Sequence, residues 1–324
     1  MCTISFGWAS TFSDTPEVSK FITMMVKKHG FQRAQLTQIM NQVSIQQELI
    51  DKMDHPYEKK SWDAYQSLFI TPDRIRGGLA FWKSHKNLLE KAEKEYGVPP
   101  QIIVAILGVE TRYGERQGDY RVMDALSTLA FAYPKRADYF KRELEEYLLL
   151  CQEHHESPLK YKGSMAGAIG MPQFMPSSYR KYAVSFSGKA DLTRDDAAVI
   201  ASVANYFQKH GWIPQESVAQ PARIQGSAYH RLNANAKVPL YALKQLEKAG
   251  VYPMTASEHT PAQVGLIALE TTQGSEYWLA YPNFYVITRY NNSPQYALAV
   301  YLLAQQLKMQ LAVEGSRKQG FAYS

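Results

Sequence analysis

The sequence predicts a mainly α-helical protein with a small α+β insertion near its carboxyl-terminal end. Three observations lead there. Apolar residues recur at helical spacing in most segments up to Gly211, and these segments open at proline, threonine or aspartate and stop at glycine. From Trp212 to Pro282 the composition turns richer in Pro, Val and Gln, and the helical period is lost. At Ser293-Pro294 a helical pattern resumes and runs to about Val313.

The elements follow in order. Pro16 to Gly30 reads as a helix, with Phe21, Met24 and Met25 on its apolar side and Gly30 as its stop. A second helix is expected over Arg33–Met53, and Trp62–Ile70 reads as a loop or short extended piece. Thr71-Pro72-Asp73 is a good helix start, and the pattern continues to Gly97. Pro99 and Pro100 open the next helix and Gly114 ends it. Glu115 to Val122 reads as a loop, Arg136–His155 as a long helix, and Ser157–Pro176 as a connection without periodicity. A short helix follows from Pro176 or Ser177, and a longer one runs from an N-cap at Thr193 to Gly211. Inside the insertion, Pro239–Gly250 suggests one helix, and Val264–Leu269 and Glu276–Ala280 suggest strands joined by a turn. Asn283 to Arg289 reads as extended.

Composition narrows the function class. The 324 residues are 45% hydrophobic, enough to build a sizeable core and too many for a disordered chain. A net charge of +6 suits an anionic polymer. The chain lacks a dense Lys/Arg run and a nucleic-acid-binding motif, so no nucleic acid partner is expected. The 22 tyrosines suit a sugar-binding cleft, where a ring packs on an apolar sugar face, and suit ordinary cores equally. Two cysteines, Cys2 and Cys151, make neither a disulfide framework nor a zinc cluster. No stretch reaches the length of a transmembrane helix, and no leader is visible. His29 and His85 lack partners at metal-ligand spacing, and neither metal nor cofactor is expected.

The chemistry concentrates in Ile102–Gly114. Ile103, Leu107 and Glu110 recur on one helix face, which sets a carboxylate on an apolar stripe in the last turn. Desolvation and the negative end of the helix dipole both disfavour the anion, so a raised pKa is expected. A carboxylic acid held protonated near neutrality can donate a proton to a leaving group. Taken alone, the residues favour a plainer reading, a glutamate paired with a nearby arginine such as Arg112 or Arg116. Two other stretches stand out. Gly163–Pro176 is dense in small residues and carries Ser164 and Gln173, and glycines there let a ligand approach the backbone. Asn283–Tyr296 places Tyr290, Asn291 and Tyr296 near a corner that leads into the last helix.

Gly108-Val109-Glu110-Thr111-Arg112-Tyr113-Gly114, the Gly163–Ser178 loop and Asn283–Tyr296 together resemble the membrane-bound lytic murein transglycosylase B family, over about Thr71–Leu311. The resemblance implies a lysozyme-like helical core over 76–211 and 283–324, an extra N-terminal helical region over 1–75, and a small inserted α+β domain over 212–282. It implies cleavage of the bond between N-acetylmuramic acid and N-acetylglucosamine in peptidoglycan, with 1,6-anhydromuramoyl products. The family's catalytic glutamate falls on Glu110 and its orienting serine on Ser164. Gln173, Tyr206, Tyr290, Asn291 and Tyr296 match its substrate-binding residues. One carboxyl group suffices if the substrate supplies its own nucleophile, whereas ordinary glycosidases use two. Asp119, Asp124 and Glu115 have plain surface or helix-start readings.

The same resemblance implies a periplasmic monomer that acts on glycan strands, with cell-wall remodelling proteins as further partners and Cys2 as a candidate lipid anchor. Family members can carry an EF-hand type calcium loop before the Thr193 helix. Here Ser185 and Lys189 fall at two ligand positions of Ser185–Asp191, and that site is expected to be lost. A hydrolytic muramidase of the same fold and a non-catalytic peptidoglycan-binding scaffold remain open as alternatives.

Overall fold

The computed structural model describes residues 12–54, 60–186, 189–255 and 261–320, with side chains described to 316. Cys2 lies outside the described residues. The chain forms two compact units, each built from two stretches: Met1–Pro56 with Gln117–Lys181, and Tyr57–Arg116 with Tyr182–Ser324. In chain order, the first unit contributes α1 (Pro16–His29), α2 (Arg33–Met40) and α3 (Gln47–Met53). The second contributes α4 (Trp62–Phe69), α5 (Pro72–Ser84), α6 (Lys86–Tyr96) and α7 (Pro100–Thr111). The first resumes with β1 (Tyr120–Arg121), α8 (Val122–Ala132), α9 (Ala137–His154), β2 (Lys162–Gly163) and α10 (Pro176–Tyr182). The second ends with α11 (Asp196–Lys209), β3 (Ala219–Ile224), α12 (Leu243–Lys248), β4 (Val251–Pro253), β5 (Gly265–Thr271), β6 (Gly274–Ala280), α13 (Pro282–Tyr290) and α14 (Pro294–Gly320).

In the first unit, α8 packs along α9, and α3 packs on α8. From Val122 to Ala130 every residue of α8 is buried, Asp124 included. Asp124 pairs with Arg121 at 2.7 Å and accepts the Ser44 amide at 3.0 Å, so it is a buried structural carboxylate and not a surface one. The short β1–β2 ribbon pairs Tyr120 with Gly163. Gly163 is obligatory there, because a Cβ would lie 2.1 Å from the Ala168 carbonyl oxygen.

In the second unit, α14 packs on α7, α4, α5 and α13, and α11 lies on α6 and α7. The sheet is antiparallel, in the order β4-β3-β6-β5. Its core is Leu246, Val251, Val264, Leu266, Leu279 and Tyr281. The β5–β6 hairpin closes through Thr271 opposite Gly274. Helix α4 docks on this hairpin: Trp62, fully buried, donates its indole N–H to Glu276 at 3.1 Å, and Asp63 accepts from Thr272.

Several elements differ from the expectation. The expected Arg33–Met53 helix is two, broken after Met40. Trp62–Phe69 is helical, and so is Pro282–Tyr290. The Thr71–Gly97 segment divides at His85, whose ring bonds to the Asp196 carboxylate at 2.8 Å and to the Phe81 carbonyl. The N-cap of α11 is Asp195, whose carboxylate accepts from the Ala197 and Ala198 amides; Thr193 lies before it.

Candidate active site

Helix α7 is buried on every side rather than along one stripe. Ile102 to Val109 are all buried, and only Gln101 and Glu110 keep partial exposure. A helix that is apolar all round belongs in the middle of a core. Glu110 is the one carboxylate of this helix, in its last turn, and it keeps some exposure where its apolar neighbours are buried. Its end is held tightly. Arg112, Tyr113 and Gly114 all have positive φ, at 50°, 61° and 94°. The Tyr113 amide returns to the Leu107 carbonyl and the Arg112 amide to the Gly108 carbonyl, a left-handed closure of the helix end. The Tyr113 phenol folds back against Gly77, Gly78 and Gly108 and donates to the Arg74 carbonyl at 2.7 Å. Arg74 is buried, and its Nε donates to the Gly108 carbonyl at 2.9 Å.

The Tyr296 hydroxyl, from the first turn of α14, donates to Glu110 Oε1. Burial pushes the Glu110 carboxyl from the ordinary 4.5 up to about 7, and the Tyr296 hydrogen bond opposes that rise. Neither Arg112 nor Arg116 forms an ion pair with Glu110 among the described residues, which removes the structural-pair reading. Burial, and then the Glu110 charge, hold the Tyr290 and Tyr296 phenols well above their ordinary range. Both therefore stay protonated, and Tyr296 stays a donor.

The other expected site residues divide between the units. In the second unit, Tyr290 lies edge-on to Tyr206 at 4.9 Å and stacks on Phe207 at 5.8 Å. Tyr206 is buried, stacks on His210 at 4.0 Å, and donates its hydroxyl to the Arg289 carbonyl. Its hydroxyl is thus committed to holding α13. Asn291 follows α13 in extended conformation and stays partly exposed. In the first unit, Ser164 Oγ accepts the Ala166 and Ala168 amides at 3.2 and 3.0 Å. Gln173 adopts φ 51° and donates to the Gln117 and Gly170 carbonyls, both at 2.9 Å.

Sequence reasoning missed three residues of the Glu110 surroundings. Tyr65 on α4 lies close enough for its charge to act on Tyr296, and Arg74 and Tyr113 brace the end of α7. The signal for Tyr65 was present: Ser61 before the run, Asp63 in the first turn, and Trp62, Tyr65 and Phe69 at helical spacing.

A deeply buried helix that ends in a carboxyl group raised to about 7 and held by a tyrosine has the geometry of a general acid–base catalyst. A family model described as the transglycosylase SLT domain matches residues 13–305, and the chain belongs to that family. Membrane-bound lytic murein transglycosylase B of Escherichia coli strain K12 is 42% identical over 309 residues, 92% of this chain and 84% of that protein. The structure of Escherichia coli Slt35 in complex with calcium superposes with a TM-score of 0.84 at 44% identity, covering 92% of this chain and 95% of that one. SltB3 of Pseudomonas aeruginosa in complex with NAG-NAM-pentapeptide superposes at 0.80 with 26% identity, covering 92% and 80%.

Proposed function

We propose that this protein cleaves the glycosidic bond between N-acetylmuramic acid and N-acetylglucosamine in periplasmic peptidoglycan without water, using Glu110 as acid and then base. The single observation that carries the reading is the Glu110 carboxyl, buried, raised to about 7 and held by Tyr296. In the first step Glu110 gives its proton to the glycosidic oxygen as the bond to the muramoyl C1 breaks. The substrate shields the developing positive charge, through its N-acetyl oxygen or directly. The Glu110 carboxylate then takes the proton of the muramoyl C6 hydroxyl as that oxygen bonds to C1. The glutamate ends as it began, and the product carries a 1,6-anhydro ring. Tyr290, Asn291 and Tyr206 of the second unit would line the sugar path; for Ser164 and Gln173 the support is their family motif alone.

Calcium does not fit the stretch where relatives of this kind can hold it. Asp191 Oδ1 already accepts the Thr193 amide and hydroxyl at 2.9 and 2.6 Å. Asp195 caps α11, Asp196 faces His85, and Lys189 adds a positive charge. A hard cation needs several free anionic oxygens.

The test is mass spectrometry of soluble products from purified peptidoglycan, with Glu110→Gln alongside. Anhydromuropeptides from wild type alone support the reading. Reducing-end products, one water heavier, would mean a hydrolase. Binding without products would mean a scaffold.

A further inference from the structure

His210, the C-cap of α11, lies against the tyrosines of the expected sugar path and takes no part in the chemistry above. Its Nδ1 is 2.7 Å from the Tyr206 carbonyl, one turn back. A carbonyl only accepts, so Nδ1 carries a proton. In the neutral ring Nε2 is then the acceptor, and the Tyr182 hydroxyl lies 3.3 Å from it. The imidazole stacks on the Tyr206 ring, with centroids 4.0 Å apart and planes 28° apart. Among the described residues, the other rings beside Tyr206 are Tyr182, Phe207 and Tyr290, and each meets it edge-on. His210 alone lies flat. Edge-on neighbours bound the rim of a ring, whereas a flat neighbour fixes its tilt. Tyr182 is held in turn by Asn205, whose carboxamide donates to the Tyr182 carbonyl at 2.9 Å. All of these residues belong to the second unit.

We propose that His210 is a positioning residue for the sugar path, setting the plane of Tyr206 and, through it, the place of Tyr290. The inference rests on the peptidoglycan reading above and deepens it. Two contacts carry the coupling from Tyr206. Its ring meets Tyr290 edge-on at 4.9 Å, and its hydroxyl donates to the carbonyl of Arg289, the residue before Tyr290. Tyr290 in turn lies close enough to Glu110 to feel its charge. The flat face of His210 matters more here than its Nδ1 bond. The Tyr206 carbonyl also accepts the His210 backbone amide at 3.1 Å, so it keeps a partner when the imidazole is gone. The face of the buried Tyr206 ring would be left without its stacking partner, free to tilt and to let Tyr290 follow.

The experiment compares wild type, His210→Asn and His210→Phe on solubilised peptidoglycan strands, with initial rates read as anhydromuropeptides by mass spectrometry. His210→Asn keeps a short polar side chain at the helix end and removes the ring. His210→Phe keeps a flat ring and removes both nitrogens. His210→Asn should raise KM about three- to tenfold, the size of one lost ring contact, with kcat within about twofold of wild type. His210→Phe should restore KM to within about twofold of wild type. A merely structural residue would act differently, since lost folding lowers the active fraction and the apparent kcat while leaving KM in place. An unchanged KM in His210→Asn would overturn the proposal. So would a KM in His210→Phe as high as in His210→Asn. Should His210→Asn not fold, His210→Leu fills the same space without a flat face and takes its place in both comparisons. A wild type that yields no anhydro product would instead overturn the functional reading, and this inference with it.

Discussion

The hydroxyl of Tyr296 donates its proton to Glu110 Oε1, joining the first turn of α14 to the last turn of α7 across 186 positions of sequence. The bond has a chemical direction. It stabilises the carboxylate more than the acid, and so it tempers the rise that burial imposes on Glu110. The pair leaves the glutamate near 7, where an acid can give up its proton and recover it at neutral pH.

This sets the pH profile. In the proposed mechanism Glu110 starts the reaction protonated, so kcat/KM should hold below pH 7 and fall as pH rises through about 7. Tyr296→Phe removes the group that favours the carboxylate. Its descending limb should move to higher pH, with a reduced maximum. A limb that stays in place or moves to lower pH would contradict this arrangement.

Glu110→Gln should cut turnover by at least about 10²-fold, since the amide keeps the shape and cannot cycle a proton. It should also stabilise the fold in one pH range only. The folded-state pKa lies above the ordinary 4.5, so the folded protein holds this proton more tightly than the unfolded chain. Nothing is lost at pH 4. The cost of ionising the buried group grows from about pH 4.5 to 7 and then levels off at no more than roughly 3 kcal/mol. Denaturation at pH 4 and pH 8 should show the variant's advantage over wild type appearing at the higher pH. An advantage that is the same at both would exclude the burial cause.

The sequence showed Glu110 and Tyr296 as separate motif residues, and their bond was hidden because sequence pattern carries no information about partners so far apart. Helices with marked ends were legible: Pro16 and Gly30 bound α1, and Pro100 and the turn at Arg112–Gly114 bound α7. Others were masked by their own composition. Helix α8 is apolar almost throughout, so it shows no amphipathic period, and it went unread. Phe284-Tyr-Val-Ile-Thr288 has strong strand preference, yet burial against α14 makes it helical. The break at His85 depends on its bond to Asp196, a partner supplied by another helix.

Gly108→Ala should weaken both fold and activity. A Cβ at Gly108 would lie 2.5 Å from the Tyr113 hydroxyl and 2.7 Å from its ring. The ring has no free direction, since Gly77, Gly78 and the stacked Phe81 bound it. Overpacking of this kind costs about 1–3 kcal/mol. Because Tyr113 closes the turn after Glu110, the displacement should also lower kcat. Unfolding in urea and product assays on the same variant check the two effects. Wild-type values in both would mean that the helix end is more adaptable than the contacts allow.

Calcium should leave the protein unchanged. The Ser185–Asp191 stretch offers Asp191, whose Oδ1 already serves the Thr193 amide and hydroxyl, and it brings the Lys189 ammonium to the same short segment. Binding a divalent ion there would require breaking the Asp191 turn and placing like charges together, with too few anionic oxygens to compensate. A ligand that binds only the folded state raises the melting temperature, and the rise grows with the logarithm of ligand concentration above its Kd. Thermal unfolding in millimolar calcium and in chelator should therefore give the same Tm. A shift of several degrees that follows calcium concentration would show that other oxygens complete a site. Restoring acidic residues by Ser185→Asp and Lys189→Asp together should then produce a calcium-dependent rise that the natural sequence lacks.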